Sequence, residues 1–230
     1  MSHIVAIINQ KGGTGKTTTT LNLGAALAYQ GYRTLIVDLD PQGHTSIGIG
    51  IEPDVIAASM ADVLLVPKKR IGEVAVPTYI LGLDIAPAHI HLARAAEQVY
   101  TRVFREAILA NALKDVDYDF VLIDCPPSLG VLTTNSLYAC DFIVIPCQIS
   151  RYSLDGLADL LTTAGAERVI AMDLHQGQIQ GFFNQPVNHL TALPILADYF
   201  EGLNLDDLVV VSPDVGRVKA AKKMADMLGG

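Results

Sequence analysis

Lys11-Gly12-Gly13-Thr14-Gly15-Lys16-Thr17-Thr18 puts three glycines, two cations and three hydroxyls in eight residues. Such a stretch can grip an anion: glycine lets backbone N–H groups close around a phosphate, and a helix N-terminus adds partial positive charge. Gly12 to Thr18 would form the cradle, Lys16 would bridge terminal phosphates, and the Thr17 hydroxyl would offer a ligand to Mg2+. The motif has meaning only between a strand and a helix. The apolar run Ile4 to Ile8 precedes it and a helical pattern, Leu21 to Tyr29, follows. The expected ligand is ATP or ADP with Mg2+. Asp124 ends another apolar run, where a carboxylate can hold Mg2+ through water, and Asp38 leaves a third strand end and can support the same ion.

These residues need a scaffold that brings several strand ends together. Short β-rich runs alternate with helical patterns: strands at 4–8, 34–38, 83–87, 120–124, 142–146, 169–173 and 208–212, and helices at 16–30, 91–113, 133–140, 153–163, 192–200 and 216–228. The alternation predicts an α/β fold, a single mostly parallel doubly wound sheet with helices on both faces. Nothing in the sequence resembles a linker or a repeat.

The glycine-rich stretch, together with Val37-Asp38-Leu39-Asp40-Pro41-Gln42-Gly43 and Val121-Leu122-Ile123-Asp124-Cys125-Pro126-Pro127-Ser128, resembles the deviant Walker A ATPases of the ParA/MinD family, in the ParA branch. The likeness continues through 130–135, 141–146 and 153–157 and covers about residues 1–160. It implies a P-loop ATPase of the chromosome- and plasmid-partitioning type with slow hydrolysis. It also assigns roles: Lys11 would reach across a nucleotide-dependent homodimer to the partner's nucleotide, and Asp40 would orient the attacking water. Without the family, the alternative reading of Asp40 is a turn former before proline.

From about residue 157 the chain resembles instead phosphoribosyl pyrophosphate (PRPP) synthetase, through 157–175, Gln178 to Phe183 and Val211 to Gly216. That likeness places Asp173 and His175 in a Mg-ATP site and Asp214 in a second active-site loop. The sequence lacks the other segments of that site, so the three residues form a vestigial set and PRPP synthesis is not expected. The resulting expectation is a chimera, engineered or recombined, with a ParA-like part at 1–160 and a PRPP-synthetase-like part at 161–230 that continues the same sheet. Its alternatives are a ribose-phosphate diphosphokinase and a product of fold engineering that binds nucleotide without a biological role.

Composition narrows the partners. The chain has 230 residues and a formal net charge of −8. Residues 164–230 hold 5 basic and 8 acidic side chains, which leaves 11 and 16 for the front. Neither part is basic, and strong nucleic-acid binding is not expected. Lys219, Lys222 and Lys223 share one helical face and read best as solvated cations near a helix C-terminus. The apolar runs are short for a membrane span and no signal peptide is evident, so the expectation is a cytoplasmic protein with no membrane partner. Cys125, Cys140 and Cys147 have neither disulfide nor metal spacing.

Overall fold

His3–Ile7 and Thr34–Asp38 each present an unbroken run rich in β-branched and leucine side chains, the pattern of strands covered on both faces. In the structure, a computed structural model that describes residues 2–52, 55–146, 165, 167–172, 186–203, 208–212 and 215–229, they are strands β1 and β2. The chain divides into two compact units, residues 1–148 and 149–230.

In the first unit the elements follow as β1, helix α1 (Lys16–Tyr29), β2, α2 (His44–Gly48), α3 (Met60–Leu65), β3 (Val76–Pro77), β4 (Leu83–Ala86), α4 (His91–Val99), α5 (Ile108–Ala112), β5 (Phe120–Asp124), α6 (Val131–Ala139) and β6 (Phe142–Val144). Six strands make one sheet in the order β3-β4-β2-β5-β1-β6. All pairings are parallel except β3 with β4. The chain leaves β1 toward β2 on one side, while β6 is added on the other side of β1. Open α/β sheets bind ligands at the carboxyl ends of strands at such a switch point.

Period-2 alternation builds a core on each face. Val5, Ile7, Ile36, Leu83, Ile85 and Leu122 pack on one face with Ala28 and the partly buried Leu21, Leu23 and Leu27 of α1. Ala6, Ile8, Leu35, Val37, Val121 and Ile123 pack on the other with side chains of α3, α4, α5 and α6. Each fully buried leucine or isoleucine here contributes about 1.5–3 kcal/mol. The fold is thus a mostly parallel sheet flanked by helices, as the alternation predicts. α1 buries Lys16, Thr20, Gly24 and Ala28, one residue per turn. Gly24 permits the close approach: a Cβ there would lie 2.9 Å from Ile36 Cδ1 and 3.3 Å from Leu83 Cδ1.

Two expectations are corrected. The continuous helix at 91–113 is broken into α4 and α5, because Phe104 adopts a left-handed backbone, φ 58°, and Asn135 of α6 holds the second piece. Its Oδ1 accepts from Leu109 N–H at 3.0 Å and its amide donates to the carbonyls of Arg105 and Val131, both at 2.8 Å. In the second unit, Val169–Met172 (β7) pairs in parallel with Val187–Leu190 (β8). Residues 208–212 form no strand, although Val209 and Val211 are apolar and β-branched; both are exposed. Strand propensity is realised only where side chains pack on neighbours. Helices Leu193–Gly202 and Val218–Met227 complete the described part of this unit.

Candidate functional site

Gly15 has φ 89° at the N-cap of α1, a left-handed conformation that a side chain would strain. It turns the chain from the loop into the helix, so the N-terminus of α1 faces the end of β1. Asn9 fixes the other side of the loop. Its Oδ1 accepts from Lys11 N–H at 2.9 Å and its Nδ2 donates to Pro146 O at 2.7 Å, beyond β6. The turn leaves Lys11 exposed, whereas Lys16 is only 8% exposed. The two lysines are therefore in different environments, one presented outward and one held at the loop.

Asp124, at the end of β5, lies beside this loop and is almost wholly buried. Thr17 Oγ1 donates to its Oδ2 at 2.9 Å. Thr45 Oγ1, from the first turn of α2, donates to the same oxygen. The other oxygen, Oδ1, is buried without a hydrogen-bond partner. Burial raises the Asp124 carboxyl above the usual carboxylate range, against the pull of the Thr45 and Thr17 hydroxyls; the Asp40 charge adds to the rise and Lys16 opposes it.

Asp38, at the end of β2, is fully buried. Its Oδ2 accepts from Ser46 N–H at 2.9 Å and Ser46 Oγ at 2.7 Å, and its Oδ1 accepts from Asp40 N–H at 3.1 Å. Burial pushes this carboxyl up to about 7 despite the Ser46 hydrogen bonds. Both Asp38 oxygens are engaged, so its contribution here is to hold the Asp40 turn and the start of α2. Asp40 itself is partly exposed and accepts from Gln42 N–H at 3.0 Å.

The site suits a hard divalent cation. A hydroxyl has one proton and two lone pairs, so Thr17, having donated to Asp124, keeps lone pairs for an ion. The orphaned Asp124 Oδ1 lacks a protein donor and can accept from an ion's water. Among the described residues no cluster of three or more His, Cys, Asp or Glu has metal-holding geometry. An ion at Thr17 would thus be completed by water and phosphate oxygens, the habit of Mg2+.

The structure brings Gly12, Gly13, Thr14, Gly15, Lys16, Thr17, Thr18, Asp38, Asp40 and Asp124 to one end of the sheet. Thr45, Ser46 and Asn9 were not legible as site residues, because a hydroxyl after a turn or an Asn before a loop carries no spacing signature. Asp173, His175, Asp214 and Cys147, and the expected helix at 153–163, lie outside the described residues. The free thiols of Cys125 and Cys140 are buried and part-buried, and burial raises both, that of Cys140 to about 11.

A strand, a glycine loop and a helix N-terminus at a switch point, with carboxylates on the adjoining strand ends, define the class of P-loop nucleotide-site proteins. Residues 2–172 match the model of a family described as an AAA domain. The sporulation initiation inhibitor protein Soj of Bacillus subtilis is 48% identical over 165 residues, 71% of this chain and 65% of that protein. The chromosome partitioning protein ParA of Caulobacter vibrioides is 43% identical over 187 residues, 78% of this chain and 67% of that protein. The chain belongs to this AAA-domain family of ParA/MinD-type P-loop ATPases over about its first 170 residues. It spans about two thirds or less of the length of the curated relatives it matches.

Among solved structures, cobyrinic acid a,c-diamide synthase from Mycobacterium smegmatis, with a bound ATP analogue and magnesium, aligns with a TM-score of 0.67 at 33% identity over 99% of this chain and 92% of that one. The expected chimera gains no support. The family match and the ParA alignment run through the supposed junction near residue 160, and a single solved chain aligns with almost the whole length.

Proposed function

We propose that the chain binds ATP and ADP with Mg2+ at the glycine-rich loop and hydrolyses ATP slowly, as a nucleotide switch of the partitioning-ATPase type. One observation carries the reading: Thr17, at the start of α1, donates to Asp124, whose second oxygen is buried without a partner. The M. smegmatis synthase bound to an ATP analogue and magnesium supports it from outside. Mg2+, when bound, neutralises phosphate charge and polarises the terminal phosphoryl group.

The chain's own groups do the rest. Backbone N–H groups of Gly13 to Thr18 hold the β-phosphate, and Lys16 bridges the terminal phosphates. Thr17 would ligate the ion, and Asp124 would accept from the ion's water. Asp38 keeps the Asp40 turn in place through Ser46 and the Asp40 N–H. Asp40 orients a water whose oxygen attacks the γ-phosphorus as the bond to ADP breaks. Lys11, presented to solvent, contributes across a nucleotide-dependent homodimer. Each role is that of a positioned charge or donor, which is how phosphoryl transfer is accelerated.

Calorimetry with ADP and Mg2+ tests the assignment. Wild type binds and Lys16→Ala does not, while Asp40→Ala keeps ATP binding and loses at least about 100-fold in hydrolysis, the range for a lost catalytic proton or water contact. Unchanged ADP affinity in Lys16→Ala would place the nucleotide elsewhere.

A further inference from the structure

Thr45 is a buried hydroxyl that the mechanism above does not use. It sits in the first turn of α2, immediately before Ser46, and is fully buried. Its Oγ1 donates to Asp124 Oδ2, the oxygen that Thr17 also engages. Ser46 meanwhile donates twice to Asp38 Oδ2, and its Oγ accepts from Ala88 N–H at 3.1 Å. Two adjacent residues of one short helix are thus bolted to the ends of two neighbouring strands. The turn that carries Asp40 lies between these attachments, tied down by Asp38 Oδ1 at its start and α2 at its end.

The chemistry at Asp124 is asymmetric. Oδ2 receives two hydroxyl protons, whereas Oδ1 receives none and is buried. A carboxylate held by a single hydroxyl can turn about its last torsion and exchange its oxygens, since this torsion is broad and two-fold. Two donors converging from α1 and α2 remove that freedom. They fix which oxygen the two hydroxyls engage and which is left able to accept from an ion's water. Thr17 thereby keeps its lone pairs for an ion, because its proton is committed to a carboxylate that cannot turn away.

We infer that Thr45 is the positioning residue for Mg2+ at this site: its hydroxyl locks Asp124 so that Oδ1 receives the ion's water, and it joins the Asp40 turn to the metal. The inference rests on the nucleotide reading proposed above. Groups that orient a metal-holding carboxylate typically cost about 10- to 100-fold in metal affinity when removed. The ion and the Asp40 turn then form one mechanical unit, since a shift of Asp124 is passed through Thr45 to α2.

The test separates this inference from the reading beneath it. ADP affinity is measured by calorimetry for wild type, Thr45→Val and Thr45→Ser, once in EDTA and once across a Mg2+ titration, with circular dichroism to establish folding. Wild type is expected to bind ADP more tightly with Mg2+. Thr45→Val, which keeps the shape and loses the hydroxyl, is expected to match wild type in EDTA but to need at least about tenfold more Mg2+ for the same gain. Thr45→Ser, which restores the hydroxyl, is expected to return the wild-type Mg2+ dependence. If Thr45→Val does not fold, Thr45→Ala takes its place in the same comparison. A valine or alanine variant with the wild-type Mg2+ dependence overturns the role of Thr45 and leaves the nucleotide site standing. A wild-type protein that binds no ADP in either condition overturns both.

Discussion

Asp38 is the residue at which burial and charge conflict most openly. Its carboxyl titrates at about 7 in the fold because burial outweighs the Ser46 hydrogen bonds, against about 3.9 in an unfolded chain. The folded state therefore keeps this proton over a range in which the unfolded state has lost it. The stability contributed by Asp38 is greatest below about pH 4 and declines as pH rises to about 7, by as much as about 4 kcal/mol from the linkage relation. Asp38→Asn cannot ionise and removes this slope. Urea unfolding of both proteins at several pH values is expected to show the variant gaining on wild type between pH 4 and 7; a constant difference would refute the assignment. The sequence made Asp38 legible as a strand-end carboxylate beside a phosphate loop. It did not show that Ser46 and the Asp40 amide occupy both oxygens, because those bonds depend on α2 turning back onto the strand end.

At the scale of elements, strands were the most legible part. Thr34–Asp38 and Phe120–Asp124 follow from apolar runs covered on both faces, and the other predicted strands of the first unit end within two residues of their expected limits. Helices were less so. The apolar pattern through 91–113 contains no glycine or proline, and its break comes from a side chain on another helix. Asn135 caps α5 at Leu109 and anchors Arg105 O, and is 1% exposed. Asn135→Ala would strand a buried N–H and a carbonyl, at about 1–3 kcal/mol for each group. Chemical denaturation is expected to register a loss of at least about 1 kcal/mol; wild-type stability would mean that the broken helix is set by Phe104 alone. By contrast α3 was announced and overlooked, since Ser59 and Asp62 stand three apart and form a capping box. Residues 208–212 show the opposite error: Val209 and Val211 have strand propensity, yet both are exposed and the segment forms no strand.

For the whole molecule the informative quantity is charge. A net −8 over 230 residues, with neither part basic, opposes coating of a duplex by phosphate neutralisation. Gel shifts at low salt are expected to show no tight complex with random DNA, with or without ATP and Mg2+. Retardation that disappears steeply with added salt would show that a local face such as Lys219, Lys222 and Lys223 outweighs the total. Among the described residues no helix is long and apolar enough to cross a membrane. The sheet has one further consequence, visible in hydrogen exchange. Backbone bonds continue beyond the strand ends at the site: Leu39 N–H to Asp124 O at 3.0 Å, Cys125 N–H to Ile7 O at 3.2 Å and Ile8 N–H to Val144 O at 2.9 Å. These amides belong to the part of the chain that opens last and exchange with deuterium only as the core opens. Gly12 and Gly13, a few residues away, are exposed and exchange freely until an anion covers them. One labelling time course on this protein thus has a built-in reference: slow protons that report the integrity of the frame, beside fast ones that report whether the loop is filled.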